Sequence, residues 1–227
     1  APSPPSSGTS TVTTVPSPPA DDEAWVFLID DAAMSPDAFE RARAGLLAIL
    51  RDGLPAGTAM GILCTGEPGA QTTRLTDDHG TFLSAVTSMR YKNRGWRGSP
   101  TSRSGSTGAS TTNRDQVFLE GTLGSLNSLI LSLRALPGRK VVVVMSELIG
   151  LTADDVEHGA SGFLPTGGFK RQYVGVASRM RRLGRLAAES GVTVHSIDLS
   201  GVVNADSRRR AALNEGLHAV ADEMGGV

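Results

Sequence analysis

The chain has 227 residues, a formal net charge of −1 and 39% hydrophobic residues, of which few are aromatic. The balanced charge gives no overall attraction to nucleic acid or to an anionic membrane, and no apolar run approaches the ~20 residues of a membrane span. The single cysteine, Cys64, excludes an intrachain disulfide framework and lies in an apolar run, which predicts a buried, unreactive thiol.

The chain divides into a polar beginning and a longer domain. Residues 1–22 are rich in Pro, Ser and Thr, and such a segment buries too little surface to offset the entropy lost on ordering. We therefore predict a disordered linker at 1–22 and one α/β domain at 23–227. Two aperiodic stretches rich in Gly, at about 92–115 and 150–170, are predicted to be loop insertions in this domain.

Strand and helix patterns alternate along the domain. An apolar strand at 26–30 precedes Ser35 and Pro36, a pair typical of a helix N-terminus, and Gly53 is expected to end that helix. Further strands are predicted at 58–64, 71–75, 140–145 and 192–199, and further helices after Asp78 and at 117–136, 173–190 and 208–224. This alternation predicts a doubly wound, mostly parallel sheet with helices on both sides.

Four arginines distinguish the predicted helix at 173–190. Its apolar side chains share one face, and the arginines mostly avoid that face. Such a basic surface is compatible with binding to nucleic acid, but we favour a solvated helix face. The arginines are Arg179, Arg181, Arg182 and Arg185.

Oxygen-bearing side chains follow three of the predicted strands. Asp30 and Asp31 end the first strand, Ser146 and Glu147 end the strand KVVVVM, and Asp198 ends the strand VTVHSID. The carboxyl ends of parallel strands lie along one edge of the sheet, where α/β folds bind ligands. Oxygen ligands that converge there suit Mg²⁺ or Ca²⁺. The same residue types also serve as caps and local hydrogen-bond partners at strand ends, so both interpretations stay open.

Common enzyme signatures are missing from the sequence. It has no GxSxG elbow, no GxxxxGK[ST] phosphate loop, no HExxH motif and no GxGxxG after the first strand. The histidines are scattered, and His195, inside a predicted strand, is expected to have a structural role. The chain is therefore expected not to be an enzyme.

The order of elements resembles the von Willebrand factor A (vWA) domain, and most closely the bacterial VWFA-related proteins. The resemblance covers about residues 25–227 outside the two loops, and its most specific part is GTL followed by GRK, an apolar strand and Ser146-Glu147. It implies a Rossmann-like fold. Because vWA sheets continue with another strand and helix beyond the position of Gly226, it also implies either a sheet one strand short or a truncated chain.

The resemblance also implies a degenerate metal-ion-dependent adhesion site. The vWA family binds a divalent cation through D-x-S-x-S after the first strand, a Thr on a second loop, and an Asp in an S-D-G turn. Matched position by position, these ligands fall on Asp30, Thr122 and Glu147, whereas Ala32 and Met34 replace the two serines.

Two neighbouring oxygen groups complete the implied ligand set. Asp31 follows the first motif residue, and Ser35 is the first hydroxyl after it, although Ser35 also has the pattern of a helix N-cap. In addition, Leu148 stands where the family has the turn glycine. The cofactor expectation is therefore none, or weakly bound Mg²⁺ or Ca²⁺.

The leading functional hypothesis is a non-enzymatic protein-interaction module of adhesion or scaffold type. The carboxyl-end face of the sheet is expected to contact a protein partner, with no nucleic acid and no membrane span. Family habit and the Pro/Ser/Thr-rich segment favour an exported location, whether periplasmic, cell-surface or secreted.

Two alternatives stay open. The strand-end carboxylates suit a Mg²⁺-dependent phosphohydrolase or a phosphoryl-accepting receiver-like domain. A receiver, however, needs a Lys where this chain has Asp198-Leu199-Ser200, and a dehalogenase-type site needs a second Asp where it has Ala32. The other alternative is a structural module with an inactive metal site that binds only through its insertions.

Overall fold

A computed structural model of the protein describes residues 23–32, 34–55, 57–66, 74–92, 109–147, 169–200 and 217–227, with 109–119 and 169–177 described by their backbone alone. Four strands within these ranges form one parallel sheet in the order β2-β1-β3-β4. The strands are β1 (Glu23–Ile29), β2 (Ala59–Cys64), β3 (Arg139–Ser146) and β4 (Val192–Asp198).

Helices alternate with these strands, as the sequence predicts. They are α1 (Pro36–Asp52), α2 (His79–Ser88), α3 (Ala109–Leu133), α4 (Phe169–Ser190) and α5 (residues 217–223). Both α3 and α4 begin earlier than predicted, so α3 takes the last part of the expected loop at 92–115. Once a helix has formed, each further residue adds one backbone hydrogen bond to it. Polar residues without apolar periodicity can therefore continue the helix.

Several predictions about segments are only partly covered by the described residues. Thr76 forms an isolated antiparallel bridge with Met60, next to the place where a strand at 71–75 was predicted, and residues 67–73 lie outside the described ranges. The predicted linker at 1–22 and most of both predicted insertions also lie outside. The part of the chain that is described contains no helix long and apolar enough to cross a membrane.

Side chains of β1 alternate between two apolar layers. Val26 and Leu28 pack in the layer shared with α3, α4 and α5, whereas Phe27 and Ile29 pack in the layer shared with α1 and α2. Burial on both faces explains why β1 and β3 are continuous apolar runs instead of alternating ones. The doubly wound, parallel α/β fold is therefore confirmed.

The loop after β1 lies at a topological switch point of the sheet. The chain leaves β1 to form β2 on one side and later returns to form β3 on the other. A crevice opens between the carboxyl ends of strands at such a point. The start of α1 borders this crevice, because Ser35 caps the helix by accepting a hydrogen bond from the Ala38 N–H at 3.1 Å.

The outer edge of β4 is covered by the last residues of the chain. The N–H of Ser196 donates to the carbonyl of Val227 at 3.0 Å, and the Val227 N–H donates to Nδ1 of His195 at 3.2 Å. These contacts agree with the expected structural role of His195. The expectation of a sheet one strand short, or of a truncated chain, stays a prediction.

Candidate functional site

Asp30 forms the centre of a buried polar cluster at the switch point. Its side chain is only 2% exposed, and both of its carboxylate oxygens accept hydrogen bonds. The hydroxyls of Thr65 and Thr122 each donate to Oδ1 at 2.9 Å, and the Ser146 hydroxyl donates to Oδ2 at 2.9 Å. The cluster therefore joins the end of β1, the turn after β2, helix α3 and the end of β3.

Burial dominates the protonation of Asp30. Desolvation raises the pKa of this carboxyl above its ordinary value of 3.8, and the nearby charge of Asp31 raises it further. The hydrogen bonds from Ser146, Thr122 and Thr65 oppose the rise because they favour the charged form. The hydroxyl groups thus recover part of the solvation that Asp30 loses when the protein folds.

Asp31 faces a different part of the site. One of its carboxylate oxygens accepts a hydrogen bond from the backbone N–H of Gly66 at 2.7 Å. A Cβ at position 66 would lie 2.9 Å from the other oxygen, so any larger residue there would have to displace the Asp31 carboxylate. Asp31 therefore binds the turn after β2.

Glu147 and Ser35 are brought together, but not as a pair of metal ligands. The Ser35 N–H donates to Oε2 of Glu147 at 2.6 Å, while the Ser35 hydroxyl accepts from Ala38. The charge of Glu147 thus lies at the N-terminus of α1, where a helix dipole favours a negative group. Both side chains serve to fix the start of the helix.

Met34, which the resemblance to vWA domains matched to a motif serine, belongs to the core. Its side chain is 0% exposed and lies in the apolar layer with α1 and α2. The Tyr91 hydroxyl donates to the Met34 carbonyl at 3.2 Å, and the Tyr91 ring packs against Phe39 with centroids 5.7 Å apart. Apolar packing therefore fixes the loop after β1 at the position where vWA domains have a hydroxyl ligand.

Two further residues singled out in the sequence lie apart from the cluster. Asp198 accepts hydrogen bonds from the N–H and the hydroxyl of Ser200, both at 2.8 Å, and so forms a local turn. Cys64 is half-buried, not fully buried as predicted, and burial raises the pKa of its thiol to about 12, which disfavours the reactive thiolate.

The residues of this site do not fit the cation site of the vWA family. Ala32 has no oxygen in its side chain, Met34 points into the core, and Glu147 is engaged by the backbone of Ser35. The carboxylate of Asp30 is satisfied by three hydroxyls instead. No group of three or more His, Cys, Asp or Glu side chains is placed to hold a metal ion among the described residues.

Sequence reasoning missed two members of the site. Thr65 is a direct hydrogen-bond partner of Asp30, and Gly66 binds Asp31 through its backbone. Both directly follow β2, so the strand-end argument that selected Asp30 could have found them. Ser146 was noted as a strand end, but its bond to Asp30 was not predicted.

Comparisons with known proteins add little to this description. No protein family and no curated protein matches the sequence. Among solved structures, this chain is similar to an aerotolerance-related membrane protein from Bacteroides fragilis NCTC 9343, crystallised with multiple mutations to serines, at a TM-score of 0.42 and 16% identity. That match covers 90% of this chain and 88% of that chain. At such similarity, the α/β fold class rests on the strands and helices described above.

Proposed function

We propose that this protein is a non-enzymatic interaction module of vWA-like fold, which contacts a protein partner through the carboxyl-end face of its sheet without a bound metal. The observation that carries this proposal is the buried cluster at the switch point. Asp30, Thr122 and Ser146 are 2%, 3% and 0% exposed, and the two hydroxyls both donate to Asp30, so a substrate has no access to them.

The rim of the cluster is more accessible than its centre. Thr65, Tyr91 and Glu147 are half-buried, and Lys92 is exposed. This surface lies at the crevice where α/β folds bind their ligands. A partner that binds there would contact the rim, while the buried cluster keeps the ends of β1 and β3 and helix α3 in place.

Site-specific photo-crosslinking tests the contact face. A photoreactive residue at position 147 or 92 is expected to form a partner adduct in the source cells. The same residue at Arg134 or Asp52, exposed positions at the opposite end of the sheet, is expected to form none. Equal labelling from both ends would contradict the proposed face. Cell fractionation in the same experiment tests the proposed exported location.

Thermal melting tests the absence of a functional metal. A ligand that binds only the folded state raises the melting temperature, by an amount that grows with the logarithm of its concentration relative to its Kd. We expect Mg²⁺, Mn²⁺ and Ca²⁺ to leave the melting temperature of the wild type unchanged, and EDTA to leave partner adducts unchanged. A shift that is lost in Asp30→Asn would instead establish a cation site. Turnover of a generic phosphoester with Mg²⁺ would establish the hydrolase alternative.

A further inference from the structure

A groove separates helices α3 and α4 on the side of α3 that faces away from Asp30. Its volume is about 450 Å³. On α3, Thr122 points to Asp30, whereas Gly121 and Gly124 line the groove. A Cβ built on either glycine meets no atom of the described residues within 4 Å, so this part of the groove wall is helix backbone next to open space.

The opposite wall of the groove is basic. Arg179 and Arg182 line it from α4, one helical turn apart, and Arg182 is exposed while Arg179 is half-buried. Neither guanidinium forms an ion pair with any residue in the described ranges. On the α3 side, Asn127 and Glu120 also line the groove, and Glu120 already interacts with another group.

Charge is distributed unevenly between this helix and the rest of the chain. Helix α4 contains six basic residues and one acidic residue, Glu189, although the whole chain has a net charge of −1. Guanidinium groups bind carboxylates through paired, charge-assisted hydrogen bonds. Residues one turn apart are separated by about 4.5 Å along a helix axis, which is also the spacing of carboxylates one turn apart on a second helix.

From these observations we infer that the α3–α4 groove is a docking site for an acidic helical segment of a partner protein. Its carboxylates pair with Arg179 and Arg182, and the bare backbone at Gly121 and Gly124 allows the segment to approach closely. A groove of about 450 Å³ suits side chains of a peptide better than a duplex, and the nearly neutral chain lacks the broad positive field that nucleic acid binding requires. This site is separate from the proposed carboxyl-end face.

Fluorescence anisotropy with the full chain tests the inference. The probe is a labelled helical peptide with glutamates one turn apart, and a peptide with lysines at the same positions is the negative probe. We expect the double variant Arg179→Glu/Arg182→Glu to bind the acidic peptide at least about tenfold more weakly than the wild type.

A matched variant distinguishes specific binding in the groove from a general effect of the positive charge on α4. Arg181→Glu/Arg185→Glu changes the net charge equally on the same helix, but these two exposed residues do not line the groove. We expect it to bind the acidic peptide within about twofold of the wild type, since it keeps the paired contacts. Equal weakening by both variants, or no binding to the wild type, would overturn the proposal. Tighter binding of a labelled DNA duplex than of the peptide would do the same.

A steric variant tests the same groove without a change of charge. Gly124→Leu places a side chain in the open space and replaces a poor helix former, so the fold is preserved and its melting temperature is expected to hold or rise. Binding of the peptide is expected to fall at least about tenfold, because the close approach is blocked. Ser132→Leu, at an exposed position of the same helix outside the groove, is the control. Unchanged binding by Gly124→Leu would overturn the inference.

Discussion

Charged side chains have different environments on the two sides of α3: one side has a buried carboxylate and the other has guanidinium groups at the surface. Around Asp30, the charge is buried and neutral hydroxyls satisfy it from three other elements. In the α3–α4 groove, the charges of Arg179 and Arg182 lie at the surface with no ion-pair partner among the described residues. The buried group therefore contributes to holding strands and helices together, whereas the surface groups are available to a partner. Burial, more than residue type, decides which role a charge takes.

Removal of the buried carboxylate is expected to have the largest effect. Asp30→Ala leaves the hydroxyls of Thr65, Thr122 and Ser146 without their common acceptor, and unsatisfied buried groups are costly. We expect the free energy of unfolding to fall by about 2–3 kcal/mol in urea denaturation. Asp77→Ala, at an exposed position, is the control and is expected to change it by less than about 0.5 kcal/mol. Equal small losses would show that the hydroxyls find other acceptors.

Two glycine substitutions compare a tightly packed position on α4, Gly184, with a position on α3 that faces the open groove, Gly124. A Cβ on Gly184 would lie 2.4 Å from the backbone carbonyl oxygen of Glu223, so Gly184→Ala forces the chain end away from α4. We expect a loss of about 1–3 kcal/mol in the free energy of unfolding. Gly124→Ala faces open space and is expected to gain about 0.5–1 kcal/mol from helix propensity. A loss in both variants would mean that the groove is filled.

The pH dependence of stability sharpens the account of Asp30. Because its pKa is raised in the folded state, its contribution to stability is fully present below the unfolded pKa and is lost as pH rises through the folded pKa. We expect urea denaturation at a series of pH values above 3.8 to show this loss in the wild type, and Asp30→Asn to remove it. The difference between the two proteins isolates Asp30 from exposed groups such as Asp78, whose lowered pKa acts in the opposite direction.

The smallest expected effect concerns the rim of the buried cluster. Tyr91→Phe removes the hydrogen bond to the Met34 carbonyl but keeps the ring packed on Phe39. We expect the free energy of unfolding to fall by about 0.5–1 kcal/mol, with an unchanged dependence on urea. A loss as large as that of Asp30→Ala would mean that the loop after β1, and not the carboxylate, holds the site together.

Local chemistry explains why much of the fold was predictable. Continuous apolar runs predicted β1 and β3 because buried parallel strands need apolar side chains on both faces. Ser35 and Asp78 were predicted as helix starts because a short polar side chain satisfies backbone N–H groups at N-termini. The pairing of Asp30 with the region of Thr122 followed from the resemblance to vWA domains, and the structure places these side chains in direct contact.

The α/β class and the place of Asp30 at the carboxyl end of a strand could be predicted from sequence patterns alone, because apolar strand runs and helix starts are local features. The tertiary structure alone decided what surrounds that carboxylate. Thr65 and Ser146 lie 35 and 116 positions from Asp30, Met34 turns into the core, and Glu147 binds the start of α1. The groove beside Gly124 likewise exists only because α4 packs next to α3. Contacts between distant segments depend on how whole elements pack, and no local pattern in the sequence records them.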